Sequence, residues 1–190
     1  EMGDIFIQVK DDLQNGRHVL FTGTPCQCRG IDKYLQLQNI SRSRLVLVDI
    51  LCHGVTSPLL LEEYILYQER KYKGRVLEIN FRNKERYGWS SHVETINVNG
   101  QEKDSDIYAK LFYNNNGLRH SCYRCPFKSL SRYTDISLAE FWGINKAVPS
   151  VDDNKGVSQV FVNSDKGSRY FDLCKTYLQY EACSLDMCMQ

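Results

Sequence analysis

The sequence lacks the features that mark several large classes of protein. Its 24 basic and 23 acidic residues leave a formal net charge of +1, without a clustered run of lysine and arginine for nucleic acid. Its longest apolar stretches, RLVLVDILC and SPLLLEEYILY, are interrupted by charged residues well before membrane-spanning length. It contains no internal repeat and no low-complexity linker. We therefore expect a soluble globular domain that neither binds nucleic acid nor crosses a membrane.

The chain also begins without a recognisable targeting segment. Its first residues, EMGDIF, do not start at an initiator methionine and do not form a basic, apolar signal sequence. We therefore interpret the chain as a piece of a longer protein.

Cysteine, in contrast, is abundant, with eight residues in a chain of 190. A secreted domain held together by disulfides is usually smaller, loop-rich and poor in long apolar elements. Here the cysteines are surrounded by sequence patterns typical of helices and strands. These patterns favour thiol chemistry in a reducing compartment, and we predict a cytoplasmic protein.

The first part of the chain alternates between helix and strand patterns. Apolar residues fall at helical spacing over residues 2–13, and the strand-like runs HVLFT and RLVLVDI follow. Between these runs the segment GTPCQC is predicted to be a loop, and a second helix follows it. Ser57 is a suitable N-cap and Pro58 a suitable first residue for a third helix that continues through Gln68. This order of elements predicts parallel strands.

The rest of the chain changes character. RVLEINFRN and HVETINVNG alternate apolar and polar residues, which is typical of half-buried antiparallel strands. A short amphipathic helix is predicted over residues 106–115, further strands in DISLAEFWG and VSQVFVNS, and a closing helix over residues 166–180 with Cys174 in its apolar, buried face. The predicted fold is α/β, with a mixed, partly parallel sheet flanked by helices and an antiparallel hairpin insertion.

Four cysteines stand where this fold would place a site. Cys26 and Cys52 each follow a predicted strand, and adjacent parallel strands would bring both thiols to one edge of the sheet, where open α/β sheets bind ligands. Cys122 and Cys125 form a C-x-x-C pair whose two sulfurs can reach one metal centre. Together they supply four thiolates, the number that a tetrahedral zinc ion or a cubane iron–sulfur cluster requires.

The spacing leaves three chemistries open: a zinc or structural site, an iron–sulfur cluster, and a dithiol redox pair. The remaining cysteines have simpler interpretations. Cys28 is predicted to pack in the interior, as is Cys174, whereas Cys183 and Cys188 fall in a terminal tail where we expect disorder.

The turns that carry Cys26 and Cys52 also suit an anion. A helix N-terminus favours a thiolate over a thiol, because its partial positive charge and its N–H groups stabilise negative charge. Gly23 and Thr24 would offer further N–H groups to a nucleotide cofactor.

Six ordered motifs carry a resemblance to a known family. VLFTGTPCQ, VDILCHGVTSP, NFRNKERYGW, SCYRCPFK, DISLAEFWGI and GVSQVFVNS together resemble the C-terminal domain of the coenzyme F420 hydrogenase/dehydrogenase beta-subunit family, over about residues 2–180. The resemblance implies an oxidoreductase that carries FAD beside a [4Fe-4S] cluster and passes electrons between the cluster, the flavin and a two-electron substrate such as F420 or another acceptor.

The resemblance also implies particular site residues. The matching cluster ligands are Cys26, Cys52, Cys122 and Cys125, the four cysteines already selected by their placement. Candidates to line a flavin site fall in the shared polar motifs: Thr22, Gly23, Thr24, Ser57, Lys84, Lys128 and Trp142. The two lysines would place positive charge near a flavin, and Trp142 would stack on a ring unless it is a core residue. No catalytic residue is assigned.

The chain departs from the family at one motif, since Ala139 and Glu140 stand where members usually have Gly-Asp before Phe-Trp-Gly. Members often carry an upstream ferredoxin-like segment, so we expect such a domain or a redox partner protein to exchange electrons with this one. Residues 1–180 are interpreted as the oxidoreductase domain and 181–190 as the tail. The alternative is a non-catalytic zinc-stapled or partner-binding domain, and composition leaves open whether the chain forms a homodimer.

Overall fold

The computed structural model describes residues 2–188 and shows a mixed α/β fold, which confirms the predicted fold class. Its strands are β1 (Val19–Gly23), β2 (Leu45–Ile50), β3 (Val76–Asn80), β4 (Glu94–Val98), β5 (Gln101–Ser105), β6 (Ile136–Glu140) and β7 (Ser158–Val162). Its helices are α1 (Ile5–Gln14), α2 (Pro25–Leu37), α3 (Pro58–Tyr72), α4 (Lys84–Tyr87), α5 (Ile107–Tyr113), α6 (His120–Tyr123), α7 (Ile144–Ala147), α8 (Asp165–Cys174) and α9 (Leu185–Cys188). Short 3₁₀ helices cover Pro149–Val151 and Lys175–Tyr177.

The chain divides into two compact units. Unit 1 contains the residues up to Cys52, Pro126–Val151 and the residues from Val157 onwards, and it holds a four-stranded sheet in the order β1-β2-β6-β7. Unit 2 contains His53–Cys125 and Asp152–Gly156, and it holds a three-stranded sheet in the order β3-β4-β5.

The unit 1 sheet is mostly parallel, as the alternation of elements predicts. β1 pairs with β2 in parallel, from Val19 opposite Leu45 to Gly23 opposite Asp49. β6 lies parallel to β2, and β7 runs antiparallel to β6. The run Leu45–Leu47 of β2 is buried throughout, which is typical of a central parallel strand covered on both faces.

Helices α1 and α2 supply the core that packs against this sheet. Their apolar stripes meet the inward side chains of β1 and β2 in one buried cluster: Val9, Leu13, Phe21, Cys28, Ile31, Leu35, Leu45 and Leu47. Removing this much apolar surface from water is the main stabilising contribution in unit 1.

A buried charge network also joins elements of unit 1. Arg42 donates to Oδ1 of Asp32 at 3.0 Å and lies 3.4 Å from Asp135. Asp135 in turn accepts hydrogen bonds from the Leu47 N–H at 2.9 Å and from the Ser164 hydroxyl at 2.7 Å. Because buried carboxylates are costly unless they are paired, this network fixes the geometry around α2, β2 and the start of α8.

Unit 2 packs α3 and α5 against its antiparallel sheet. Tyr64 of α3 is buried against Ile96 and Val98 of β4. The start of α3 matches the prediction, with Ser57 as N-cap and Pro58 as first residue. Strand β5, which the sequence did not predict, completes a hairpin with β4.

The C-terminal segment differs from the prediction. α8 ends at Cys174 and a 3₁₀ turn follows, whereas one helix was predicted over 166–180. The prediction that Cys174 is a core residue is wrong, because its side chain is exposed, as is Tyr177 at 88 %. Helix α9 lies within the predicted tail; residues 189 and 190 and the side chain of Cys188 lie outside what the structure describes.

Candidate functional site

The carboxyl ends of three parallel strands form one edge of the unit 1 sheet. Thr24 and Cys26 follow β1, Cys52 follows β2, and Trp142 follows β6. Ligands of open α/β sheets bind beyond this edge, where loops lead into helices. The expectation that Cys26 and Cys52 follow adjacent parallel strands is confirmed, and this edge is the candidate site of unit 1.

Cys26 lies in the first turn of α2. The sequence predicted that GTPCQC forms a loop, and this is wrong from Pro25 onwards. Thr24 is the N-cap and Pro25 the first helical residue, a position that suits proline because no N–H is needed there. The side-chain oxygen of Gln27 accepts hydrogen bonds from the Thr24 N–H at 2.9 Å and from the Thr24 hydroxyl at 3.0 Å. Gln27 therefore reaches back over the helix start, as in a capping box, and fixes the turn that carries Cys26.

The sulfur of Cys26 is accessible and has a polar neighbour. Its side chain is exposed, and Sγ lies 3.1 Å from the Thr24 hydroxyl oxygen. As the second residue of a 13-residue helix, Cys26 lies in the first turn, at the positive end of the helix dipole.

Cys28, two residues further along α2, has the opposite environment. It is completely buried, and its thiol donates to the Val48 carbonyl at 3.6 Å. Burial raises the pKa of Cys28 to about 12, with further increases from the charges of Asp49 and Cys26. Cys28 therefore stays a protonated thiol at neutral pH, and its predicted packing role is confirmed.

Cys52 follows the end of β2 and is half-buried. The residue before it, Leu51, donates its N–H to the Leu138 carbonyl of β6 at 2.8 Å. This bond extends the pairing of β2 with β6 beyond Ile50 and fixes the backbone that leads to Cys52.

Cys122 and Cys125 belong to unit 2, and both are half-buried. The phenol of Tyr123 stabilises the loop before them, because it donates to the Asn115 carbonyl at 2.8 Å and accepts from the Gly117 and Leu118 N–H groups. Gly54 packs against this segment, since a Cβ built on it would lie 3.5 Å from the Cys122 Cβ.

The residues predicted to line a flavin site divide between the units. Those in unit 1 are Thr22, Gly23, Thr24, Lys128 and Trp142. The side chain of Trp142 is 40 % exposed and so is not a core residue. In unit 2, Ser57 occupies the N-cap position of α3 and donates its N–H to the Gly117 carbonyl, and Lys84 places its ammonium 3.9 Å from the centre of the Trp89 ring.

The four predicted ligands also divide, two in each unit. Among residues 2–188, no three His, Cys, Asp or Glu side chains lie together as a metal-binding group. The four-cysteine site therefore stays a prediction.

Sequence reasoning missed an acidic residue at the same edge of unit 1. Asp49 is 1 % exposed near the end of β2, with one carboxylate oxygen 3.5 Å from Arg132. Its signal in the sequence is a single carboxylate inside the apolar run RLVLVDI. A charged residue in a buried strand is rare unless it is paired or functional.

The sequence pattern of the family described as the C terminus of the beta subunit of coenzyme F420 hydrogenase/dehydrogenase matches residues 16–187. The chain belongs to this family. Membership confirms the resemblance inferred from the six motifs and assigns the chain to an oxidoreductase family associated with coenzyme F420. The family is described as part of a beta subunit, and this is consistent with partner proteins that form the other subunits of an enzyme. No curated protein matches the chain.

No helix in the described part of the chain is long and apolar enough to cross a membrane.

Proposed function

We propose that this chain is a cytoplasmic electron-transfer domain of an oxidoreductase, holding a [4Fe-4S] cluster through Cys26, Cys52, Cys122 and Cys125 with FAD beside it. The proposal depends on one observation, made in a chain that belongs to this family. Cys26 and Cys52 follow the carboxyl ends of adjacent parallel strands, at one edge of the unit 1 sheet. This edge is where open α/β sheets bind their ligands.

The donor chemistry of the cysteines fits a thiolate-bound cluster. Cys26, Cys122 and Cys125 are free thiols that are exposed or half-buried, so a metal can reach their sulfurs. Gly54, two residues after Cys52 in the chain, packs against Cys122. Cys28 is unsuited to ligation, because its high pKa disfavours the thiolate that a metal requires.

The candidate flavin residues fit a nucleotide cofactor at the same edge. Thr22, Gly23 and Thr24 form the end of β1 and the N-cap of α2, and the exposed Trp142 follows β6. Lys84, Lys128 and Ser57 would add charge and a hydroxyl group. When bound, the two cofactors would supply single-electron transfer and its conversion into two-electron chemistry.

The substrate and the partners follow from the same proposal. We propose a small two-electron substrate such as F420, and electron exchange with a redox partner protein or an upstream ferredoxin-like domain. The protein's own contribution would be to hold the cofactors at fixed distance and to set their potentials.

Cofactor analysis after anaerobic purification tests the proposal. We expect a brown protein with iron and acid-labile sulfide in equal molar amounts and with extractable flavin. A colourless protein with stoichiometric zinc would instead support the alternative of a zinc-stapled, non-catalytic domain. Oxygen must be excluded, because oxidation removes exposed cysteine thiolates.

A cysteine series tests the ligand set. Cys26→Ser, Cys52→Ser, Cys122→Ser and Cys125→Ser should each abolish the cluster absorbance and the bound iron. Cys174→Ser is the matched control, because Cys174 is an exposed cysteine of unit 1 at the end of α8. Loss of colour in the Cys174 variant, together with retained colour in the Cys52 variant, would show that the ligand set is wrong.

A further inference from the structure

Strand β7 leaves a row of backbone groups unpaired at one edge of the unit 1 sheet. It is the last strand in the order β1-β2-β6-β7 and pairs with β6 in an antiparallel register. Among residues 2–188, no other strand pairs with it. Such an edge accepts a further strand, because the N–H and C=O groups along it need partners.

The hydrogen bonds at the two ends of β7 show which residues carry the unpaired groups. The Asn163 N–H donates to the Asp135 carbonyl at 2.9 Å, and the Phe141 N–H donates to the Val157 carbonyl at 2.9 Å. The odd-numbered residues of β7 therefore bond to β6. In an antiparallel ladder, the residues between them direct their N–H and C=O groups to the opposite side. These residues are Ser158, Val160 and Val162, and within the described chain their groups on this side have no hydrogen-bond partner.

The side chains of the same three residues are accessible. Val160 is 40 % exposed and Val162 is 42 % exposed, and Ser158 is exposed as well. Gln159, whose side chain lies on the other face of the sheet, is buried. The edge is therefore open on the face that carries Val160.

β7 also lacks the features that usually protect an edge strand. Natural edge strands carry charged residues, proline or a bulge, which prevent pairing with another chain. The edge strand β5 of unit 2 follows this rule, since its sequence QEKDS contains three charged residues. β7 has the sequence SQVFV, without charge or proline, and its pairing with β6 has no register shift. Its composition favours pairing with another strand.

A second copy of β7 fits this edge. Antiparallel pairing about a two-fold axis at Val160 sets Val160 opposite Val160 of the second copy, and Ser158 opposite Val162 of that copy. Each opposed pair exchanges two hydrogen bonds, so every unpaired group on both edges gains a partner. The two Val160 side chains form a β-branched pair across the axis, and no like charges face each other. Such an interface is isologous and closes after two copies.

The opposite edge of the sheet is a poorer match. The Val19 N–H donates to the Arg44 carbonyl at 2.9 Å, so Leu20 and Thr22 are the residues of β1 whose groups point away from β2. Two copies of β1 would therefore form two bonded pairs, against three for β7. Pairing of β1 with β7 would join copies head to tail, which does not close after two copies.

We propose that two copies of this chain associate through antiparallel pairing of their β7 strands, which joins their four-stranded sheets into one continuous sheet. The interface does not involve the predicted cofactor residues, so the proposal is independent of the proposed function. Because β7 has only five residues, we expect a weak dimer with a dissociation constant of about 1–100 μM.

Sedimentation velocity of the whole chain between about 1 and 300 μM tests the dimer. The buffer must be reducing, because the exposed thiols of Cys26 and Cys174 would otherwise link copies by disulfides. Val160→Lys should raise the dissociation constant at least about tenfold, since two ammonium groups would meet at the axis. Leu20→Lys is the matched control on β1, where Leu20 is 65 % exposed, and it should leave the constant unchanged.

A mixture of opposite charges tests whether position 160 faces its own copy. Val160→Lys and Val160→Glu should each be mainly monomeric at about 100 μM, and an equal mixture of the two should dimerise at least as tightly as the wild type. Recovery on mixing excludes misfolding as the cause of dissociation. If the mixture stays monomeric although both variants fold, position 160 does not face its own copy, and the proposal is overturned.

Hydrogen exchange measured by NMR separates edge pairing from other dimers. The Val160 N–H should exchange at least about threefold more slowly at 300 μM than at 1 μM, roughly the ends of the same range, because exchange then requires the monomer. In a dimer formed by stacked sheet faces, this N–H would gain no protection. A monomer at every concentration, a dimer unaffected by Val160→Lys, or a dimer lost only in Leu20→Lys would each overturn the proposal.

Discussion

The hydroxyl of Tyr64 on α3 donates a hydrogen bond of 2.6 Å to Oε2 of Glu94 on β4, and both side chains are buried. The other oxygen of Glu94 accepts from the N–H of Ala109, near the start of α5. One buried carboxylate therefore connects two helices and the central strand of unit 2. Its charge is compensated by two hydrogen bonds and by the positive end of a helix.

Removing the phenol hydroxyl should weaken unit 2. Tyr64→Phe leaves one oxygen of a buried carboxylate without its donor, and we expect a loss of about 2 kcal/mol in the free energy of unfolding. Urea unfolding followed by circular dichroism measures this loss. Tyr67→Phe is the control, because Tyr67 lies on the same helix but is 43 % exposed, and it should change stability by less than about 0.5 kcal/mol. Equal effects from the two variants would contradict this role of Glu94.

The same hydrogen bond predicts a change in stability at alkaline pH. Burial and the bond to Glu94 raise the pKa of the Tyr64 phenol above its ordinary value. The unfolded chain then loses this proton at lower pH than the folded chain, near pH 10. The stabilising contribution is therefore complete below about pH 10 and is lost as the pH rises further. The stability difference between the wild type and Tyr64→Phe should shrink above this pH, and a difference independent of pH would contradict the prediction.

Gly167 marks a close approach that a side chain would block. A Cβ at this position of α8 would lie 2.1 Å from the Asp135 carbonyl oxygen, which is backbone and cannot move aside cheaply. Gly167→Ala should destabilise unit 1 by at least about 3 kcal/mol. Gly30→Ala is the matched control in α2, because its Cβ would meet only the Phe6 ring at 3.1 Å. There the gain in helix propensity of about 1 kcal/mol offsets a small shift of the ring, and urea unfolding should show little change.

The sequence predicted the strands whose apolar patterns match their surroundings. β2 was predicted because Leu45, Val46 and Leu47 form a continuous apolar run in a buried strand. β5 was missed because QEKDS contains no apolar residue, and it becomes a strand only by pairing with β4. A local signal was present in Asn99-Gly100, both at positive φ, a dipeptide typical of tight hairpin turns.

The same limit applies to the candidate site. Periodicity identified an apolar face over residues 170–178, but it does not reveal whether another element covers that face, and Leu173 is 70 % exposed. The strand ends correctly placed Cys26 and Cys52 at one edge, because strand direction follows from the order of elements. Asp49 is paired with Arg132, 83 residues away in the chain, and no local sequence pattern contains that relationship.

The two cysteines of α2 should differ sharply in reactivity. Cys26 is exposed, whereas burial raises the pKa of Cys28 to about 12 from 9.0. Compared with a thiol at the ordinary pKa of 9.0, Cys28 therefore has an approximately 1,000-fold lower thiolate fraction at neutral pH. The thiolate is the form of cysteine that reacts with alkylating reagents. Native protein stripped of metal by a chelator should therefore alkylate at Cys26 at least about 100-fold faster than at Cys28, as measured by mass spectrometry of the peptides.

Cys174 provides the internal reference for this experiment. Its exposure predicts labelling on the same timescale as Cys26, although the sequence had suggested a core position. In concentrated urea all three thiols should react at similar rates, because the burial that protects Cys28 is lost on unfolding. If Cys28 in the folded protein reacts as fast as Cys26, the start of α2 does not separate an accessible sulfur from a buried one. The assignment of Cys26, and not Cys28, as the ligand of this turn would then lose its physical basis.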